Sequence, residues 1–186
     1  GRPELLAEGM AADVEFTVDF TRASGRIRRL NGLNNTSPLN GTDFPAMDTL
    51  ADFRELEIPV TRYHDAALEN PGMELVDVSR VFPLFHADPD DERNWNFAPT
   101  DEYVQRTLST GSAVEYRLGE SIELSHTRYQ VRPPADPEKW AKLCERIVRH
   151  YNEGWANGHR LGIEYWGIWE EPDNRHLMDG KDAFVE

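Results

Sequence analysis

Residues 163–173 read Ile-Glu-Tyr-Trp-Gly-Ile-Trp-Glu-Glu-Pro-Asp. From Ile163 to Trp169 aromatic and apolar side chains fall on both faces of an extended segment, the pattern of a parallel strand covered on both sides. The strand runs out into two adjacent carboxylates, Glu170 and Glu171, ahead of Pro172. A carboxyl group there, partly desolvated and beside a like charge, holds its proton to higher pH. A general acid working near neutrality needs that property. The plainer reading is two solvated acids after a core strand, and on the residues alone it is favoured about two to one.

Upstream of this strand lies the strongest helix signal in the chain. Asp136 stands as N-cap and Pro137 as first helical residue. Trp140, Leu143, Cys144, Ile147, Val148, Tyr151 and Trp155 then recur at three- and four-residue steps, and Gly158 is read as the stop. Before the helix, Ala113 to Leu118 reads as a strand, and Thr100 to Leu108 as a short helix stopped by Gly111. Val60 to His64 reads as another strand, preceded by a helical stretch with Met47, Leu50 and Phe53 on one side that ends near Glu57. A short strand around Arg26 to Leu33 opens into a loop holding Asn31, Asn34 and Asn35. The alternation of strand and helix predicts a parallel sheet covered by helices, with a doubly wound sheet and a barrel both open on pattern alone. Residues 65–99, rich in Pro, Asp and Asn, read as one long irregular stretch, a length that usually carries function in a compact domain. Val14, Phe16, Val18 and Phe20 alternate with polar residues and predict a half-buried antiparallel strand ahead of the α/β part.

The chain has 186 residues with 34 acidic against 20 basic side chains, a formal charge of −14. A field of that sign repels phosphate backbones and anionic lipid, so neither nucleic acid nor a membrane surface is an expected partner. No apolar run approaches the ~20 residues of a membrane helix, and the first ten residues lack the features of a signal peptide. Whether the protein is cytoplasmic or exported after removal of a signal is left open by the single Cys144, which excludes an internal disulfide. No glycine-rich phosphate loop follows any strand, and the six histidines show no HxxxH or HExxH spacing, so no cofactor and no metal are expected. Asp88, Asp90, Asp91, Asn94 and Asn96 crowd one loop, but the glycine and glutamate of an EF-hand are missing at the required positions. The sequons at Asn34, Asn35 and Asn40 read as fortuitous.

In parallel α/β folds the active site collects at the carboxyl ends of the strands. Those ends carry Asn31, Asn34 and Asn35; Arg62 and His64; Arg117 with Glu120 and Ser121; and Trp169 with Glu170 and Glu171. Amides, a cation, an imidazole and carboxylates suit a neutral polyhydroxylated substrate better than a phosphorylated one.

Trp169-Glu170-Glu171-Pro172 resembles the Trp-Asn-Glu-Pro signature that ends the fourth strand in retaining glycoside hydrolases of the (β/α)8-barrel clan A, and is most similar to the β-xylosidase-like family 39. Asn31-Gly-Leu-Asn-Asn35, Val60-Thr-Arg-Tyr-His-Asp65, Asn94-Trp-Asn-Phe97 with Thr100-Asp101, Tyr116-Arg-Leu-Gly119 with Ser121-Ile-Glu123, and His150-Tyr151 agree in order. The resemblance implies an N-terminal half of a TIM barrel over residues 25–186, preceded by a segment, 1–24, with a strand of an accessory β-sheet. It implies an enzyme acting on an oligosaccharide or glycoside, xyloside leading, with Glu171 as acid/base and Arg62 holding the nucleophile ionised. Asn34, Asn35, Arg62, His64, Trp169 and Glu170 are the substrate-binding residues that the resemblance implies. The family's asparagine is Glu170 here, which exchanges an amide donor near the sugar 2-hydroxyl for an anion. The family's nucleophile ends the seventh strand, past the four strands present, so the chain alone is expected to be inactive and to pair with the missing C-terminal half of the barrel. Two other readings remain: a degenerate carbohydrate-binding protein on the same barrel, and a small acidic α/β domain with no link to sugar.

Overall fold

A computed structural model of the chain describes residues 16–37, 48–64, 74–122 and 132–169. The elements are β1 (Leu33–Asn34), α1 (Leu50–Leu56), β2 (Val60–Arg62), α2 (Val78–Val81), a 3-10 turn at Glu92–Asn94, and α3 (Ala98–Leu108). They continue with β3 (Ala113–Leu118), α4 (Pro137–Asn152), a second 3-10 turn at Trp155–Asn157, and β4 (Tyr165–Ile168). The strands form one sheet in the order β1-β2-β3-β4, every neighbour parallel. The expected α/β alternation is therefore present. Doubly wound sheets reverse their strand order at a switch point; these four strands add one after another in a single direction, as consecutive strands of a β/α barrel do.

The two faces of the sheet differ because strand side chains alternate. Val114, Tyr116 and Leu118 of β3 are buried against α3 and α4, together with Tyr63, Tyr103, Val104, Leu143, Ile147 and Tyr151. A run of rings stitches this layer: Tyr103 to Tyr63 at 4.9 Å, Tyr63 to Tyr116 at 5.8 Å, Tyr116 to Tyr151 at 5.3 Å and to Trp166 at 5.5 Å between centroids. Each such side chain contributes about 1.5–3 kcal/mol on burial. The buried Tyr63 hydroxyl shares a hydrogen bond with Thr107 at 2.7 Å, which removes the cost of burying it unpaired. On the other face the register aligns Asn34 with Arg62, Arg62 with Glu115, and Glu115 with Tyr165. Tyr165 there is half exposed.

Local chemistry explains the best-formed helix. The Asp136 side chain accepts the Lys139 N–H at 3.0 Å and Pro137 opens α4, as the sequence predicts. Its buried stripe is Leu143, Cys144, Ile147, His150 and Tyr151. The helix stops at Asn152, earlier than expected, because Gly154 takes a left-handed turn (φ 80°) and starts the second 3-10 turn. Gly158 has a different duty. A β-carbon there would sit 2.2 Å from the His150 carbonyl oxygen, so glycine lets the returning chain lie against the end of α4. Gly119 does the same where β3 and β4 end: a β-carbon would meet the Trp169 Cα at 2.9 Å.

Several expectations are corrected. Residues 16–20 form no strand, and Phe16, Val18 and Phe20 stand 84, 67 and 95% exposed. Alternation marks a strand only where a partner ladder exists, and among the described residues none lies beside this segment; Val14 lies outside them. The strand expected from Arg26 shrinks to Leu33–Asn34, since residues 26–32 are exposed and unpaired with β2. The helix around Leu50 and Phe53 buries no residue, and Met47 lies outside the described residues. The strand from Val60 ends at Arg62. β4 is not covered on both sides: Tyr165 and Ile168 are 50 and 51% exposed, because among the described residues β4 pairs with β3 alone. The irregular stretch holds core: Leu75, Val76, Asp77, Val78, Val81 and Phe82 are all buried around α2.

Candidate functional site

Three polar constellations stand out, and they differ in burial. The first lies at the carboxyl ends of β1 and β2. Asn35 takes a left-handed backbone (φ 60°) that its short side chain tolerates. Its N–H donates to the Arg62 carbonyl at 2.7 Å and its Oδ1 accepts the His64 N–H at 3.1 Å. Asn35 is thus a buried clamp that fixes where His64 begins. Beside it a cleft of about 390 Å³ is lined by Gly32, Leu33, Asn34, Val60, Arg62 and Glu115. The Arg62 Nε stands 3.7 Å from Glu115 Oε1, both side chains more than a third exposed. Asn34, Asn35, Arg62 and His64 are therefore brought to one end of adjacent strands. Glu115 joins them; the signal for it was its position two residues before Arg117 on β3, across the ladder from Arg62.

The second constellation, past β3, is sealed. Arg117 is buried and its guanidinium donates to Asp77, whose carboxylate also accepts the Ser121 N–H at 2.9 Å and the Ser121 hydroxyl at 2.8 Å. Burial pushes the Asp77 carboxyl up, against the pull of Arg117 and the two Ser121 donors. Glu120 accepts the Ser79 N–H at 3.0 Å and the Ser79 hydroxyl at 2.5 Å. Burial first, then the charge of Asp77, push Glu120 up to about 8. Arg117, Glu120 and Ser121 were grouped with the strand-end site by sequence; the structure instead sets them into a buried network completed by Asp77. No sequence pattern singled Asp77 out. A cavity of about 260 Å³ borders this network, lined among others by Glu120, Val78, Phe82, Trp140, Leu143 and Trp169. Trp169 (φ 61°) is buried, with its ring 5.3 Å from Trp140 and nearly perpendicular to it. It packs there rather than lining the Arg62 cleft. Glu170 and Glu171 lie outside the described residues.

The third constellation joins α3 to the end of α4. The donor atoms of Asp101, His150 and His159 lie within 4.8 Å of one another, a spacing that can hold a metal ion. Among the described residues no helix is long and apolar enough to cross a membrane.

No protein-family model matches the chain, and no curated protein matches it. Among solved structures it is similar to a glucosidase from Croceicoccus marinus, with 25% sequence identity and a TM-score of 0.72, over 88% of this chain and 33% of that one. The chain spans about a third of the length of that glucosidase. The likeness supports a glycoside hydrolase-like fold, part of which is the four-stranded parallel sheet with its helices.

Proposed function

We propose that the chain contributes the first four β/α units of a barrel glycosidase that cleaves O-glycosidic bonds with retention, with Glu171 as acid/base. The observation that carries this reading is the fold likeness to a glucosidase over 88% of the chain. The sheet adds support. All-parallel sheets are covered on both faces, yet the row Asn34, Arg62, Glu115, Tyr165 has no helix over it among the described residues, as on a barrel's inner wall. The β-xylosidase-like family 39 and a plant-type xyloside are the finer form of the proposal, resting on the sequence signature at Trp169–Pro172.

Retention requires two carboxyl groups about 5–5.5 Å apart, one to protonate the leaving oxygen and one to attack the anomeric carbon. Glu171 follows the exit of β4 and takes the first role, protonating the glycosidic oxygen and then activating water. Glu170 beside it keeps that proton in place through like-charge repulsion. Arg62 supplies positive charge to the attacking carboxylate, which on this reading comes from the remaining strands of the barrel. Asn34 and His64 meet sugar hydroxyls, and Asn35 positions them.

The test is aryl-glycoside hydrolysis by the full natural polypeptide, over a panel including β-xyloside and β-glucoside. Glu171→Ala is expected to lower turnover at least about 100-fold, the scale of general acid–base catalysis. Negligible turnover by both proteins, with sugar still changing tryptophan fluorescence, supports a carbohydrate-binding protein instead. No fluorescence response to any sugar removes the link to carbohydrate.

A further inference from the structure

We infer that Asp101, His150 and His159 form a site for a divalent transition-metal ion of the zinc type, separate from the strand-end cleft. Asp101 sits in the first turn of α3, His150 in the last turn of α4, and His159 on the segment returning from α4 toward β4. The His150 Nε2 is 3.0 Å from Asp101 Oδ1, and the His159 Nε2 is 3.5 Å from that same oxygen. Ligands about 2.0–2.1 Å from a tetrahedral zinc stand ~3.3 Å apart, and these two edges bracket that value.

The surroundings arrange the donors for a cation. The His150 Nδ1 lies 2.9 Å from the Trp155 carbonyl oxygen, which only accepts, so Nδ1 carries a hydrogen, and in the neutral ring Nε2 offers its lone pair. A metal-bound imidazole is held in this way by a backbone carbonyl behind it. Nε2 faces a carboxylate oxygen at 3.0 Å, so a positive charge belongs between the two: a proton on Nε2, or a cation bound in its place. The buried Nε2 of His159 has no hydrogen-bond partner among the described residues. The carbonyl is presented by a costly backbone: Ala156 and Asn157 are both left-handed (φ 53° and 56°), and strain of this kind is kept where the surroundings impose it. Phe97 stacks on the His150 ring at 3.5 Å and fixes its plane. Two imidazoles and a carboxylate select zinc-like ions over magnesium or calcium, which prefer all-oxygen sets. Asp101 and His159 remain about a quarter exposed, so the cluster lies close to solvent although its donor atom on His159 is buried. A bound ion would tie the start of α3, the end of α4 and the return to β4 together.

The experiment uses the full chain without a histidine tag, after chelator treatment. Zinc is expected to bind once per chain with a Kd of about 1 µM or tighter by calorimetry, and cobalt to give the visible d–d bands of a four-coordinate site. His159→Ala should weaken zinc by more than the 10–100-fold that follows loss of an outer-shell partner and abolish the cobalt bands. His86→Ala, which removes an exposed histidine elsewhere, should change neither. Lack of cobalt bands in the unaltered chain overturns the inference by itself, even if His159→Ala fails to fold. Zinc affinity unchanged in a folded His159→Ala, or lost in His86→Ala, overturns it as well.

Discussion

Two arginines on neighbouring strands each face a carboxylate, and their settings are opposite. Arg117 and Asp77 are both about 1% exposed, in direct contact and supported by Ser121. Arg62 and Glu115 are 40 and 35% exposed and stand 3.7 Å apart beside a cleft. The sealed pair has no route to a substrate, and its charges are committed to joining α2 to the end of β3. The open pair is solvated and its two charges border the cleft, where a ligand can reach them. Burial, rather than residue type, separates a structural ion pair from a binding one.

The largest expected effect comes from breaking the sealed pair. Arg117→Met leaves Asp77 buried without its cation, and removing one partner of a buried ion pair costs about 3–5 kcal/mol. Arg62→Met should cost under about 1 kcal/mol, since half-exposed pairs contribute little. Denaturant unfolding of both variants checks the contrast. Equal losses would mean that the two pairs are alike after all.

An effect of similar size comes from pH, through the neighbour of the sealed pair. Glu120 is pushed up to about 8 by burial and by Asp77, while the unfolded chain titrates near the ordinary glutamate value. Between those values the folded protein holds a proton that the unfolded chain has released. Stability is therefore fully present below about 4.5 and falls as pH rises toward 8, by up to about 1.4 kcal/mol per pH unit from this group. Glu120→Gln should match the unaltered protein near pH 4.5 and exceed it at pH 8 in the same unfolding measurement. A variant that loses stability relative to the unaltered protein as pH rises would show a Glu120 that is stabilised as an anion.

What sequence made visible follows the range of the interactions. The cap at Asp136 and Pro137 is local, so α4 could be read directly. The order of strand and helix was enough for a parallel sheet, because crossovers demand it. Asp77 was hidden because a four-residue helix has no periodicity to show, and its importance arises only when β3 brings Arg117 against it. His150 and His159 escaped the spacing test because they stand nine positions apart and Asp101 comes from another helix. The segment around Phe16 and Val18 misled for the complementary reason: its period is right, but pairing is a property of the partner.

A small effect, of one hydrogen bond, bears on the open side. Asn35 holds the His64 N–H and accepts a left-handed backbone, so its replacement separates two contributions. Asn35→Gly keeps the backbone easy and removes only the amide, which should cost about 1 kcal/mol, the net worth of one hydrogen bond. Asn35→Ala adds roughly 1 kcal/mol more for a β-carbon in the left-handed region. If the cleft is a sugar site positioned by this clamp, Asn35→Gly should also weaken any sugar-induced fluorescence change while leaving the sealed Arg117 network, and hence the pH dependence from Glu120, untouched. A variant that shifts both would mean the two arginine settings are coupled through the sheet, and the contrast between them would then be one of degree.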